Sequence, residues 1–279
     1  MNLKHFWIVL AAIGLSGCAA LQPTKYPEPH QINRLFPASV ILLGEQHDAA
    51  DHQRIHRFVV ETMVDRQALA ALALEMATEG ESTSDLGADA NEEAVKDALK
   101  WSQGTWSWSV YGPVVMAAVR AGIPVVGANL PKARMREAMT DTGFDALLPA
   151  AALQTLQQSI RQGHCTLLPE PQVAPMARIQ IARDISMART VVKLVQPGKT
   201  VLLVAGSGHV DKTLGIAQHL PADLRIKTVL MHGDPIANTD QYLAQFDEFW
   251  PTRPAPQGDH CADFLAQRKK AETTEPIIK

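Results

Sequence analysis

Short apolar runs alternate with longer helix-like stretches along most of this chain, and that alternation limits the folds open to it more than any other feature. The runs are Ser39–Leu43, Ala71–Leu74, Ile123–Ala128, Thr200–Ala205 and Lys227–Met231. Each is too short for a helix and is bounded by glycine or polar residues, as a buried strand should be. Between them, helices are predicted over 49–66, 92–100, 114–121, 131–139, much of 144–162, 175–195 and 211–219. The order predicts an α/β fold, a mainly parallel sheet flanked by helices. Ligands of such sheets sit beyond the carboxyl ends of the strands. The polar residues just after each run therefore matter most: Glu45, His47, Glu75, Asn129 and His209.

The N-terminus belongs to a different system. An apolar core from Phe6 to Leu15 follows Lys4 and His5, and it ends in Leu15-Ser16-Gly17-Cys18. The core has signal-peptide length and is short for a membrane span. The four residues at its end resemble the lipobox of bacterial lipoproteins, in which small residues precede a cysteine whose thiol is alkylated with a lipid. Residues 1–17 are thus expected to be a signal peptide and Cys18 the lipidated N-terminus, with acyl chains such as palmitate supplying the membrane affinity. Ala19 follows the cysteine, where an Asp would signal inner-membrane retention, so the outer membrane is expected. Pro23, Pro27, Pro29 and Pro37 punctuate residues 18–38, which read as an extended tether. The domain is expected over 39–265, with a polar tail at 266–279.

About half the chain is apolar (46%) and a fifth is charged, and the net charge is -3. That balance suits one soluble domain and gives no reason to expect nucleic acid, which favours a basic surface. Beyond Cys18, the cysteines are Cys165 and Cys261, in Gly163-His164-Cys165 and Asp259-His260-Cys261. Outside the cytoplasm this pair suggests a disulfide. The two His-Cys pairs could instead bind a metal, although no CxxC spacing supports it.

Two of the strand ends share one pattern. Gly44-Glu45-Gln46-His47 and Gly206-Ser207-Gly208-His209 are both Gly-x-x-His after an apolar run. Glycine permits a sharp exit from the strand, and the histidine three residues on can lie over the sheet edge. Two imidazoles and a carboxylate brought together there suit a first-row metal or haem iron; the same histidines could equally cap helices. His52 and His56 stand four apart on the following helix without the Glu of HExxH, which argues against a zincin. Ala205 stands where a GxSxG elbow needs glycine, and Asp211 where a dinucleotide fingerprint does. Arg183 falls on an apolar stripe of its helix, so it needs a carboxylate or an anionic ligand; an Asp partner that only holds the fold would also satisfy it. Trp106, Trp108 and Tyr111 could line a flat pocket or pack as core.

Together, Gly44–Asp48 with His52, Leu74-Glu75-Met76, Tyr111-Gly112-Pro113, Asn129-Leu130-Pro131, Arg183–Ala188 and Gly206–His209 resemble the haem-binding, iron-uptake lipoprotein family ChaN. That family lies within the wider Tiki/TraB and erythromycin-esterase-like superfamily. The resemblance covers roughly residues 38–265. It implies haem binding near a homodimer interface, a role in iron acquisition, and an outer-membrane receptor as a partner. It also implies a tyrosine ligand to ferric iron, for which Tyr111 is the candidate and Tyr242 the other credible phenol. Glu45, His47, His52, Glu75, Arg183 and His209 would then line the site. Other branches of the superfamily are metal-dependent hydrolases. By that resemblance His47, His209, Glu45 and Glu75 would hold divalent Mn, Co or Zn and activate water.

Overall fold

The computed structural model describes residues 27–255 except 103, 105 and 234–239, together with 261–262 and 265–266. In it the five expected strands appear as β1 (Val40–Glu45), β2 (Leu69–Thr78), β3 (Val125–Asn129), β4 (Thr200–Gly206) and β5 (Ile226–His232). A sixth, β6 (Glu248–Pro251), joins the edge. All pairings are parallel, in the order β3-β2-β4-β1-β5-β6. β1 and β4, at the centre, are buried along their whole lengths, which is why both read as unbroken apolar runs rather than alternating ones.

The helices are α1 (Pro29–Asn33), α2 (Ala50–Asp65), α3 (Glu92–Ala98), α4 (Trp108–Arg120), α5 (Lys132–Thr140), α6 (Ala150–Gly163), α7 (Glu170–Leu194), α8 (Ser207–Val210) and α9 (Asp240–Gln245). Strand side chains alternate between faces. Ile41, Leu43, Leu72, Leu74, Leu202 and Val204 therefore meet α2 and α4 on one side. Val40, Leu42, Ala73, Val201 and Leu203 meet Met187 and Val191 of α7 on the other. Leu148 and Leu156 pack on Ala177 and Ile181, so α6 stands on the outer face of α7 as a further helical layer.

Four details depart from the sequence reading. The tether is not extended throughout: α1 forms in it, and Ile32 and Leu35 are fully buried, so the ordered fold begins before Ser39. Helices α4 and α7 start about a turn and a half early and run through Pro113 and Pro175. Each proline forfeits one backbone hydrogen bond, and in α4 the burial of Trp108 and Tyr111 against the core offsets the loss. The α-helix expected at 211–219 is replaced by a turn followed by a short 3-10 segment, Ile216–His219. Asp211 Oδ1 accepts from both the amide and the hydroxyl of Thr213, and Gly215 lies against the His209 carbonyl; the chain turns there instead. Finally, β6 is four residues long and ends in proline, a pattern suited to an edge strand and too short to register as an apolar run.

Cys165 and Cys261 form a disulfide, with their Cα atoms 5.6 Å apart. Cys18 and Tyr26 lie outside the described residues. Among the described residues, no helix is long and apolar enough to cross a membrane.

Candidate functional site

The carboxyl ends of β1, β2 and β4 converge, and their polar residues form one buried cluster. Glu75 is its hub. Pairing between β2 and β4 stops at Leu74, so the next side chain is freed from the sheet core and turns over the strand ends. The Glu75 carboxylate accepts from the Gly206 amide at 2.7 Å and pairs with Arg183 at 2.5 Å and with His209 Nε2 at 3.5 Å. His47 Nε2 lies 4.0 Å away. Burial alone would raise the Glu75 pKa, yet His209, Arg183 and His47 hold it well below the usual carboxylate range.

Each histidine carries its own carboxylate. His209 Nδ1 lies 2.6 Å from Asp184 Oδ1, and both groups are buried. Burial opposes a charge on His209, but Asp184 and Glu75 outweigh it and carry its pKa up to about 9. Burial of Asp184, only partly offset by His209, pushes that carboxyl up to about 6. The two therefore form an ion pair at neutral pH. His47 Nδ1 lies 2.7 Å from Glu45 Oε1, with its side chain 39% exposed. Its pKa is raised because Glu45 and Glu75 outweigh burial. Trp106 lies against the His47 ring at 4.7 Å between centroids. Gly206 leaves room for this geometry: a Cβ there would stand 3.0 Å from His47 Nε2, so the imidazole would have to shift by a few tenths of an ångström.

Glu45, His47, Glu75, Arg183 and His209, singled out in the sequence, thus come together. Arg183 meets Glu75 rather than an Asp; Asp184 is taken by His209. The Arg183 Nε donates to Asn129 Oδ1 at 2.9 Å, and the Asn129 amide donates to the Glu75 carbonyl at 2.9 Å.

Two expected site residues are buried supports of the cluster. His52 is a strut behind the site: its Nδ1 accepts from the Gln46 amide and its Nε2 meets the Thr252 hydroxyl, both at 2.9 Å. Burial and nearby His56 lower its pKa to about 4, so it is neutral. Tyr111 is 2% exposed, and its hydroxyl donates to Glu45 Oε1 at 2.6 Å. Burial first, and then Glu45, raise the Tyr111 pKa far above that of an ordinary phenol. It is a protonated, buried donor, not a phenolate turned toward a ligand. Adjacency to Gly112-Pro113 does not say which way the phenol points; here it points at Glu45.

The sequence reading singled out neither His56 as a member of the cluster nor Gln180. His56 is fully buried with Nδ1 3.5 Å from Glu45 Oε2; its place within α2, beyond the Gly-x-x-His motif, carries no signal short of the fold. Gln180 lies on α7 one turn before Arg183 and Asp184, with its carboxamide nitrogen 3.0 Å from His209 Nδ1 and 3.3 Å from Nε2. The cluster neutralises itself: every carboxylate already meets a cation or a donor. Among the described residues, no group of three or more His, Cys, Asp or Glu is set out to hold a metal ion.

Beside this closed cluster lies an open cleft of about 910 Å³ between α6 and the ends of β4 and β5. His164, Gln180, Ser207, His232 and Tyr242 are among its walls. That volume is within the roughly 300–1,000 Å³ usual for small-molecule and cofactor sites. A second groove, of about 560 Å³, runs along α2 and α4 past Trp108 and Met116, away from the strand ends.

Comparison with known proteins agrees with this architecture. One solved structure, described as cofacial heme binding to ChaN of Campylobacter jejuni, superposes with a TM-score of 0.64 at 24% identity, covering 78% of this chain and 89% of that one. A type III effector, HopBA1, gives a TM-score of 0.47 at 15% identity over 75% of this chain and 86% of its own. No curated protein matches. At the level of sequence, residues 31–220 match the family described as "Haem-binding uptake, Tiki superfamily, ChaN". That match spans well over half of the chain, and the chain therefore belongs to the ChaN family of the Tiki superfamily.

Proposed function

We propose that this protein is a lipid-anchored envelope protein that binds haem and takes part in haem and iron acquisition. The observation that carries the reading is the open cleft at the strand ends, in a chain whose family is described by haem-binding uptake. The cleft fits such a ligand in size, and its walls supply both the apolar surface and the donors that a porphyrin needs. Tyr242 and the imidazoles of His164 and His232 are the side chains on those walls with the chemistry to meet ferric iron. Tyr111 would first have to break its bond to Glu45 and ionise against burial. Anchoring rests on the Leu15–Cys18 motif, and a second copy of the chain and an outer-membrane haem receptor are the expected partners.

Haemin titrated into the mature, detergent-solubilised chain should give a Soret band saturating near one equivalent. Tyr242→Phe should alter that spectrum more than Tyr111→Phe. Absence of any haemin-induced spectral change would overturn the reading.

The convergence of His47, Glu75 and His209 favours a second reading, a hydrolase using Mn, Co or Zn. A metal there would have to displace Arg183 and the Gly206 amide from Glu75. Equilibrium dialysis decides it: stoichiometric metal lost in both His47→Ala and His209→Ala, with no haemin binding, would install the hydrolase in place of the haem carrier.

A further inference from the structure

The closed cluster and the open cleft share one side chain, Gln180. It lines the cleft from α7, and its carboxamide also touches His209. The hydrogen bonds that His209 can make decide which way that carboxamide points. Its Nδ1 faces the Asp184 carboxylate at 2.6 Å. An ionised carboxylate only accepts, so Nδ1 carries the hydrogen and spends it there. A ring nitrogen in that state has no lone pair left to accept from an amide. His209 Nε2 faces a second carboxylate, Glu75, at 3.5 Å, which calls for a hydrogen on that nitrogen too. With Gln180 placed nitrogen-first, donors face donors at 3.0 and 3.3 Å. Amide oxygen and nitrogen are interchangeable by a half-turn about the last torsion. Turning the group sets the negative end of the amide, Oε1, against the imidazolium, whose two N–H groups are already given to Asp184 and Glu75, and takes the NH₂ off the ring.

We propose that Gln180 is held with Oε1 on His209 and its NH₂ presented to the cleft, and that this donor forms a subsite for a carboxylate of the bound ligand. The inference rests on the haem reading and deepens it: the carboxylates in question are the propionates at one edge of the porphyrin. The surroundings support that assignment. Among the described residues no lysine or arginine lines the cleft, so an acidic group there is met by neutral donors and imidazoles. Asp211, the cleft's acidic residue, has one oxygen committed to the amide and hydroxyl of Thr213. Ser207, also on the cleft wall, carries a second donor. His209, fixed between Asp184 and Glu75, keeps Gln180 from turning back. The cluster thus acts as a positioning device for a donor it does not itself contain.

The test is a binding cycle on the full mature chain in detergent, with haemin and haemin dimethyl ester as the two probes. Esterification leaves the porphyrin and iron intact and removes both carboxylates. Gln180→Met, close in size and without donors, should weaken haemin by about tenfold, as expected for one hydrogen bond to a charged group. Gln180→Glu should weaken it at least as much, since its carboxylate is drawn to the His209 charge but repels a propionate. Neither variant should change affinity for the dimethyl ester by more than about twofold on the same reasoning. Wild-type chain that binds haemin no better than Gln180→Met overturns the subsite alone. A variant that weakens both probes equally also overturns it, since the effect is then on the cleft and not on the carboxylate. Wild-type chain that binds neither probe overturns the haem reading and the subsite with it.

Discussion

Replacing Glu75 with Gln tests whether the cluster is held together as its geometry implies. The carboxylate takes the Gly206 amide at 2.7 Å, Arg183 at 2.5 Å and His209 at 3.5 Å, with its side chain 2% exposed. A glutamine keeps one acceptor and brings an NH₂ group, so one of these donors is left facing another donor. Breaking a buried pair by removing one partner costs about 3–5 kcal/mol. Two responses reduce that figure. Arg183 keeps Asn129 and is 22% exposed, so water can take its free N–H groups. His209 can shed its proton, which also changes how stability depends on pH. Its folded pKa, about 9, lies above the 6.5 of a free imidazole side chain. The stabilisation is therefore complete below about 6.5 and is lost as pH rises through 9, and it amounts to about 3 kcal/mol in all. Glu75 raises that pKa beside Asp184, so its loss lowers it. Glu75→Gln should thus lose about 3 kcal/mol at neutral pH and flatten the decline in stability between about pH 6.5 and 9. Urea denaturation followed by circular dichroism at several pH values reads both. A loss under about 1 kcal/mol with an unchanged alkaline slope would mean that Glu75 is not the partner of both cations, and the reasoning would fail.

Tyr111→Phe should cost about 1–3 kcal/mol, because Glu45 loses a buried donor, while leaving haemin affinity close to wild type; thermal melts and a haemin titration on one preparation check both halves. Reduction of Cys165–Cys261, separated by 96 residues, should lower stability by about 2–4 kcal/mol; equal urea midpoints with and without dithiothreitol would contradict it. Cys18→Ala should accumulate as unprocessed precursor in the inner membrane, and normal maturation of that variant on immunoblots of fractionated membranes would refute the lipid anchor.

The sheet was legible in the sequence because its central strands are buried on both faces, and such strands are written as unbroken apolar runs. Val40–Leu43 and Thr200–Ala205 needed no context to be recognised. Glu45, Glu75 and His209 were legible for a related reason: a polar residue directly after an apolar strand has nowhere to go but the sheet's end. Recognition stops where a residue's role depends on direction. Tyr111 and His56 sit on helices that cross the sheet, and only the packing of α2 and α4 turns both toward Glu45. β6 and α1 were missed because four- and five-residue elements are held by tertiary burial, of Trp250 in one and Ile32 in the other, and not by local pattern.

The pattern Gly-x-x-His says that two imidazoles share a sheet edge, but it does not say that they differ. The structure separates them by their surroundings. His209 is enclosed by Asp184 and Glu75 and is fixed as a cation, so it has no proton to exchange near neutrality. His47 rests on Glu45 with a good part of its ring in solvent, so it is the one able to respond to what arrives. An assembly built for turnover would place its titrating groups where substrate can reach them, and here only one of the two qualifies. The other is walled in behind Gln180, which faces the cleft in its stead. The arrangement proposed for Gln180, a fixed charge aligning an uncharged donor, would suit holding a ligand more than transforming one.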